Sequence, residues 1–158
     1  MQKITPFLWF DGQAEEAAKF YVSVFKSAQI KSTTHYGEHG PGAKGSVMTV
    51  HFELNDQEFI ALNGGPNFKF TEAISFLIHC ETQDEIDSYW EKLTADGGEE
   101  IQCGWLKDKY GLAWQIVPAK FRDWTASNDA AGMERMMNAL IQMRKLDAAK
   151  LQAAFEGK

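Results

Sequence analysis

The chain has 158 residues, 44% hydrophobic and 24% charged, which suits one globular domain with a substantial core. A net charge of −6 argues against nucleic-acid binding. No apolar run approaches the roughly 20 residues of a membrane span, so no membrane partner is expected. Ile4 to Phe10 is short and apolar, a buried strand that begins at once with no signal-peptide pattern. Asp11-Gly12 breaks it. A helix follows, with Ala14, Ala17, Ala18, Tyr21 and Phe25 on one face. Gln29 to Tyr36 is a strand candidate. Gly37 to Gly45 holds four Gly and one Pro, a loop that either folds over a binding site as a lid or is plainly flexible. Ser46 to Leu54 is a strand, Asn55-Asp56 a tight turn, and Glu58 to Asn63 the returning strand. Gly64-Gly65-Pro66-Asn67 ends this half.

The pattern then restarts. Ala73 to Cys80 is a strand, and Thr82-Gln-Asp-Glu85 is a capping box opening a helix. That helix turns Ile86, Tyr89, Trp90 and Leu93 inward and stops at Asp96-Gly97-Gly98. Glu99 to Leu106 and Leu112 to Val117 complete a sheet, joined by a turn at Asp108 to Gly111. The halves align at a constant offset of 69: Phe7 with Phe76, Ala17 with Ile86, Tyr21 with Trp90, Val24 with Leu93. Strand and helix agreeing together mark an internal duplication. The second copy is shorter, its middle hairpin abridged near Cys103-Gly104.

Beyond Pro118 the character changes. Asp129 to Arg144 reads as a helix with Met133, Met136, Met137, Leu140, Ile141 and Met143 on a broad apolar face. Asp147 caps a final helix ending near Phe155. The Met-rich face needs a partner, either its own domain or a second copy of the chain.

A duplicated β-α-β-β-(β) unit resembles the vicinal oxygen chelate superfamily, which includes glyoxalase I, extradiol dioxygenases and bleomycin-resistance proteins. Within it the chain is most similar to the PhnB-like branch, labelled 3-demethylubiquinone-9 3-methyltransferase-like. The residues that carry the likeness are Ile4-Thr-Pro-Phe-Leu-Trp-Phe-Asp11, Ala17-Ala-Lys-Phe-Tyr21 and Ala61-Leu-Asn-Gly-Gly-Pro66. With them go the hairpin Cys103-Gly-Trp-Leu-Lys-Asp108, Trp114-Gln-Ile-Val-Pro118, and the tail Met136 to Asp147. The resemblance implies an α+β fold of two tandem βαβββ-type modules, residues 1–68 and 69–122, the second abridged. Their sheets would curl into an open mixed-sheet cup, with a helical extension over 123–158. It also implies small-molecule chemistry in the cup, usually in a homodimer.

In metal-using relatives four ligands point into the cup. Those positions fall here near Pro6, Ala61, Ser75 and Gln115, or with a slip of two at Leu8, Asn63 and Leu77 or His79. Neither set is a His/Glu set, so no metal and no cofactor is expected. Strand alternation puts Gln115, Ala113 and Val117 on the cup face, with Ser75, Leu77 and His79, with Leu8 and Phe10, and with Ala61 and Asn63. Trp105 either stacks on a planar ligand or fills core. The expected ligand-binding set is Phe10, Asn63, Ser75, His79, Trp105 and Gln115. Candidates for catalysis are His79 or His51 as general base and Cys103 as nucleophile. Each has a plainer role open to it: a hydrogen-bonded histidine, or a small hydrophobe. His35 and His39 flank the loop and are expected to be exposed. A methyl donor of nucleotide type is held by a Gly-rich turn between a parallel strand and a helix, and no such turn exists here. Cys80 and Cys103 lack zinc or redox spacing, as reduced thiols of a cytoplasmic protein would. The expectation is a homodimeric binding protein for a small, partly apolar or aromatic molecule. The alternative is a lyase, isomerase or dioxygenase-like enzyme with a relocated metal or a His base.

Overall fold

Alanines at 14, 17 and 18 let the first helix lie close on its sheet, and all three are fully buried. This helix, α1 (Ala14–Val24), also buries Tyr21, whose ring stacks on Phe52 at 6.0 Å; Phe52 stacks in turn on Phe59 at 5.3 Å. The sheet beneath is built from β1 (Phe7–Phe10), β2 (Ala28–His35), β3 (Val47–Leu54) and β4 (Gln57–Asn63), in the order β1-β4-β3-β2. β1 and β4 are parallel and the other pairs antiparallel. Asn55 and Asp56 both take positive φ, 47° and 65°, as a two-residue turn between right-twisted strands requires. The chain here is a computed structural model that describes residues 2–158, in two compact units divided between Phe70 and Thr71.

The second unit repeats the topology. Its strands are β5 (Ser75–Cys80), β6 (Glu99–Glu100), β7 (Trp105–Lys107) and β8 (Ala113–Pro118), in the order β5-β8-β7-β6. β5 and β8 are parallel. Helix α2 (Gln83–Thr94) buries Ile86, Trp90 and Leu93, with Tyr89 half-buried. The protein is therefore α+β, with two four-stranded mixed sheets of one topology. Thr82 caps α2 by accepting from the Glu85 amide at 3.2 Å. The Glu85 carboxylate accepts from the Glu81 amide at 2.8 Å, one residue earlier than a reciprocal box would place it.

The duplication is real, but the offset is not constant. Gly64 N–H donates to Phe10 O at 3.0 Å, and Ala119 N–H donates to Cys80 O at 2.7 Å. These equivalent bonds pair Phe10 with Cys80, an offset of 70 in the strands, against 69 between the helix starts Ala14 and Gln83. The extra residue lies in Asp11-Gly12-Gln13, where Gly12 takes φ 81°. One residue reverses a strand's two faces. The face expected for β1 and β4 is therefore the wrong one.

Two further expectations change. Glu99 to Leu106 is not one strand: it breaks between β6 and β7, with Cys103 at φ 65° and Gly104 at φ 81°. The cause is the tail. The amides of Cys103 and Gly104 each donate at 2.8 Å to the carbonyls of Met143 and Arg144. The Met-rich helix is shorter than its apolar pattern, α4 (Ala130–Leu140), because the chain after it turns those carbonyls outward. A short helix α3 (Phe121–Ala126), absent from the sequence expectations, precedes it, and α5 (Ala148–Glu156) follows. Asp129 and Asp147 cap α4 and α5. The tail packs on its own unit: Val117, Trp124, Met136, Leu140, Leu146 and Leu151 form one buried cluster. Met137 and Ile141 remain exposed.

Candidate functional site

Asn63 shows how the first unit spends its polar groups. Its Oδ1 accepts from the Ala14 amide at 2.8 Å, capping α1, and its Nδ2 donates to Val47 O at 3.1 Å. Its carbonyl accepts from the Tyr36 hydroxyl at 2.5 Å. These bonds tie β4 to α1, to β3 and to the Gly-rich loop. Phe10 is buried on the same side as Leu8, Val50, Phe52 and Ala61, the side that α1 covers. Phe10 and Asn63 therefore face the helix, not the open side expected for them. Phe7, Trp9, Ile60 and half-buried His51 occupy the opposite face. The Gly-Gly-Pro segment folds back over Trp9, whose indole donates to Gly65 O at 2.8 Å and whose ring meets Phe68 edge-on at 4.9 Å. A side chain at Gly64 would strike the Trp9 ring.

The Gly-rich loop is pinned at its base. Tyr36 N–H donates to Ser46 O at 2.9 Å, and Gly45 N–H returns to Tyr36 O at 2.8 Å. Gly42 packs so closely on the Tyr36 ring that a Cβ there would collide. Between this loop and the start of α1 lies a cavity of about 410 Å³, lined by Asp11, Glu15, Tyr36, Pro41, Val47 and Asn63. Glu15 is already paired with Lys19 at 2.6 Å.

In the second unit the expected face is the right one. Trp114, Ile116 and Leu106 are buried beneath α2. On the other side, Leu77, Gln115 and Trp105 form one row across three strands, in register. Ser75 joins them, its Oγ accepting from Gln115 Nε2 at 2.9 Å. Leu77 is 40% exposed, while Trp105 and Gln115 are half-buried. Val117, expected on this face too, is covered by the tail cluster.

His79 closes the row's end. The Arg122 Nε–H donates to His79 Nε2 at 3.1 Å, so that nitrogen carries no proton. The proton then sits on Nδ1, which is buried with no hydrogen-bond partner among the described residues. Burial, and next the Arg122 charge, lower the imidazole pKa below 6.5; the Glu81 carboxylate opposes them. His79 is thus held neutral, with its basic lone pair engaged. Sequence reasoning missed Arg122, because nothing in the sequence marked α3, the helix that carries it.

Cys103 is half-buried and packs against the tail cluster as a small hydrophobe. Cys80 is buried, and burial pushes its thiol up to about 12. The second unit's sheet thus gathers Ser75, His79, Trp105 and Gln115, while Phe10, Asn63 and His51 belong to the first. Metal-ligand chemistry does not fit the expected positions. Ala61 has no donor, Ser75 and Gln115 bond to each other, and no three of His, Cys, Asp or Glu gather among the described residues. No helix among the described residues is long and apolar enough to cross a membrane.

Two sheets of β-α-β-β-β origin, each with its first strand at an edge and parallel to its last, define a protein of the vicinal oxygen chelate class. Its fold recurs in the fosfomycin resistance protein FosX from Mesorhizobium loti, at 11% identity and a TM-score of 0.53, over 80% of this chain and 99% of that one. Protein PA1353 from Pseudomonas aeruginosa gives 18% identity and a TM-score of 0.62, over 75% and 98%. Within the class, residues 2–117 match the family described as 3-demethylubiquinone-9 3-methyltransferase, and the chain belongs to that PhnB-like family. The PhnB protein from Bacillus cereus is 43% identical, with a TM-score of 0.67, over 73% of this chain and 99% of that one. Among curated proteins none matches the chain.

Proposed function

We propose that the protein binds a small, partly apolar or aromatic molecule on the open face of its second sheet, without the superfamily's usual metal site. The observation that carries this is the row Leu77–Gln115–Trp105, an exposed aliphatic group and an indole flanking one oriented amide. Apolar walls with a few fixed polar groups are the general composition of small-molecule sites. The amide is held by Ser75, so its carbonyl oxygen is left to accept from a ligand. An enzyme using His79 as base is less well supported, because Arg122 already occupies the lone pair that would take the proton. Methyl transfer gains nothing from this geometry: no strand–glycine-turn–helix cradle stands beside the row. The test is a fluorescence-quench titration of Trp105 with a panel of small aromatic molecules, against Trp105→Phe and Leu77→Asp. Saturable quenching that both substitutions abolish is expected. Binding that survives both would place the ligand elsewhere.

The same reading has the chain working as a cytoplasmic homodimer, and exposed Met137 on α4 and Ile141 at its C-terminal end offer apolar surface for it. Sedimentation velocity of the full chain is expected to show a dimer. A monomer at micromolar concentration would exclude it.

A further inference from the structure

We infer that the ligand of this site carries an anionic oxygen head, a carboxylate or a phosphate, held by Arg122 at the His79 end of the Leu77–Gln115–Trp105 row. This rests on the reading that the open face of the second sheet is the binding surface. Four observations converge. First, Arg122 is exposed and tied through Nε alone, at 3.1 Å from His79 Nε2, which orients the guanidinium toward β5. Second, its two terminal nitrogens meet no acceptor among the described residues, although they form the planar fork that matches a carboxylate or phosphate. Lys107, on β7, is already committed to Glu72 and Glu99, both at 3.1 Å. Third, Arg122 forms no ion pair with a carboxylate among the described residues, in contrast to Lys107 and Lys145 of the same unit. Fourth, His79 lies two residues beyond Leu77 on the same face of β5, which puts the residue that holds Arg122 next along the strand from the apolar row.

His79 is a positioning residue in this arrangement. As a neutral acceptor it orients the guanidinium without adding charge, and burial of its Nδ1 edge favours that neutral form. The apolar row supplies contact area and Arg122 selects the head group.

The probes are 1-naphthoate, 1-naphthyl phosphate and the neutral 1-naphthamide, titrated calorimetrically into the full-length protein and into Arg122→Gln. A charge-assisted hydrogen-bond pair corresponds to about a tenfold to hundredfold preference. Expected is that preference for the anions over the amide, lost in Arg122→Gln while amide affinity stays the same. His79→Gln should keep part of it, since glutamine can still accept from the guanidinium, whereas His79→Leu should lose it. The two anions separate the sources: tighter naphthoate means a carboxylate ligand, tighter naphthyl phosphate a phosphate. Equal binding of amide and anions by the native protein would overturn the anionic head and leave the binding face standing. Binding of none of the three would overturn both.

Discussion

Replacing Asp108 by Ala is expected to cost about 3–5 kcal/mol, a large part of the roughly 5–15 kcal/mol by which a domain is stable. Asp108 is only 2% exposed. Its Oδ1 accepts from the amides of Tyr110 at 2.9 Å and Leu112 at 3.1 Å, and its Oδ2 accepts from the Trp114 indole at 2.9 Å. One carboxylate thus shapes the Asp108–Gly111 turn and locks it to β8, the strand that presents Gln115. Hydrogen bonds to a charged group contribute about 1.5–3 kcal/mol each, and a buried donor left unpaired costs about 1–3 kcal/mol. The three do not add in full, because removal of the carboxylate also removes its own desolvation cost and water can enter the turn. Asp108→Asn keeps one acceptor oxygen and should cost less, about 1–2 kcal/mol. Urea unfolding followed by tryptophan fluorescence measures both, from the shift in midpoint at constant slope. A loss under about 1 kcal/mol for Asp108→Ala would refute the assignment of the carboxylate as the organiser of this hairpin.

Met136 is fully buried in the tail cluster, so Met136→Ala should cost about 2–5 kcal/mol in the same assay. A negligible loss would mean that the tail folds apart from the second unit. The Cys80 thiol, pushed up to about 12, should resist alkylation of the native protein at pH 8 and react on unfolding; rapid native labelling at Cys80 by mass spectrometry would contradict its burial. His79 has its pKa lowered in the folded state, so the unfolded chain binds more protons as pH falls past about 6.5. Stability should therefore be full above that pH and decline as pH drops through it toward the folded-state value. His79→Gln should flatten this part of the curve, and an unchanged slope in the variant would remove His79 as its source.

Much of the fold was legible in the sequence because it is written in local, periodic signals. The stripe Ala14, Ala17, Ala18, Tyr21, the Thr82 cap and the Asn55-Asp56 turn act within a few residues, and each stands where its chemistry predicts. The repeat was legible for the same reason, since both copies obey one packing pattern. Its register was not. A single residue at Asp11-Gly12-Gln13 reverses the faces of β1, and the long-range bonds from Gly64 to Phe10 and from Ala119 to Cys80 reveal it. That reversal moved Phe10 and Asn63 to the helix side, where Asn63 is taken up by capping α1. Likewise, composition showed an apolar face on α4, but which methionines it buries was set by the carbonyls of Met143 and Arg144 meeting Cys103 and Gly104, about 40 residues away in sequence. The site follows the same division. Strand alternation set Gln115 opposite Trp114 and Ile116, but it is the β7–β8 register that puts Trp105 beside it. Arg122 reaches His79 only because the chain turns into α3 after β8, a tertiary event with no periodic signature in the sequence.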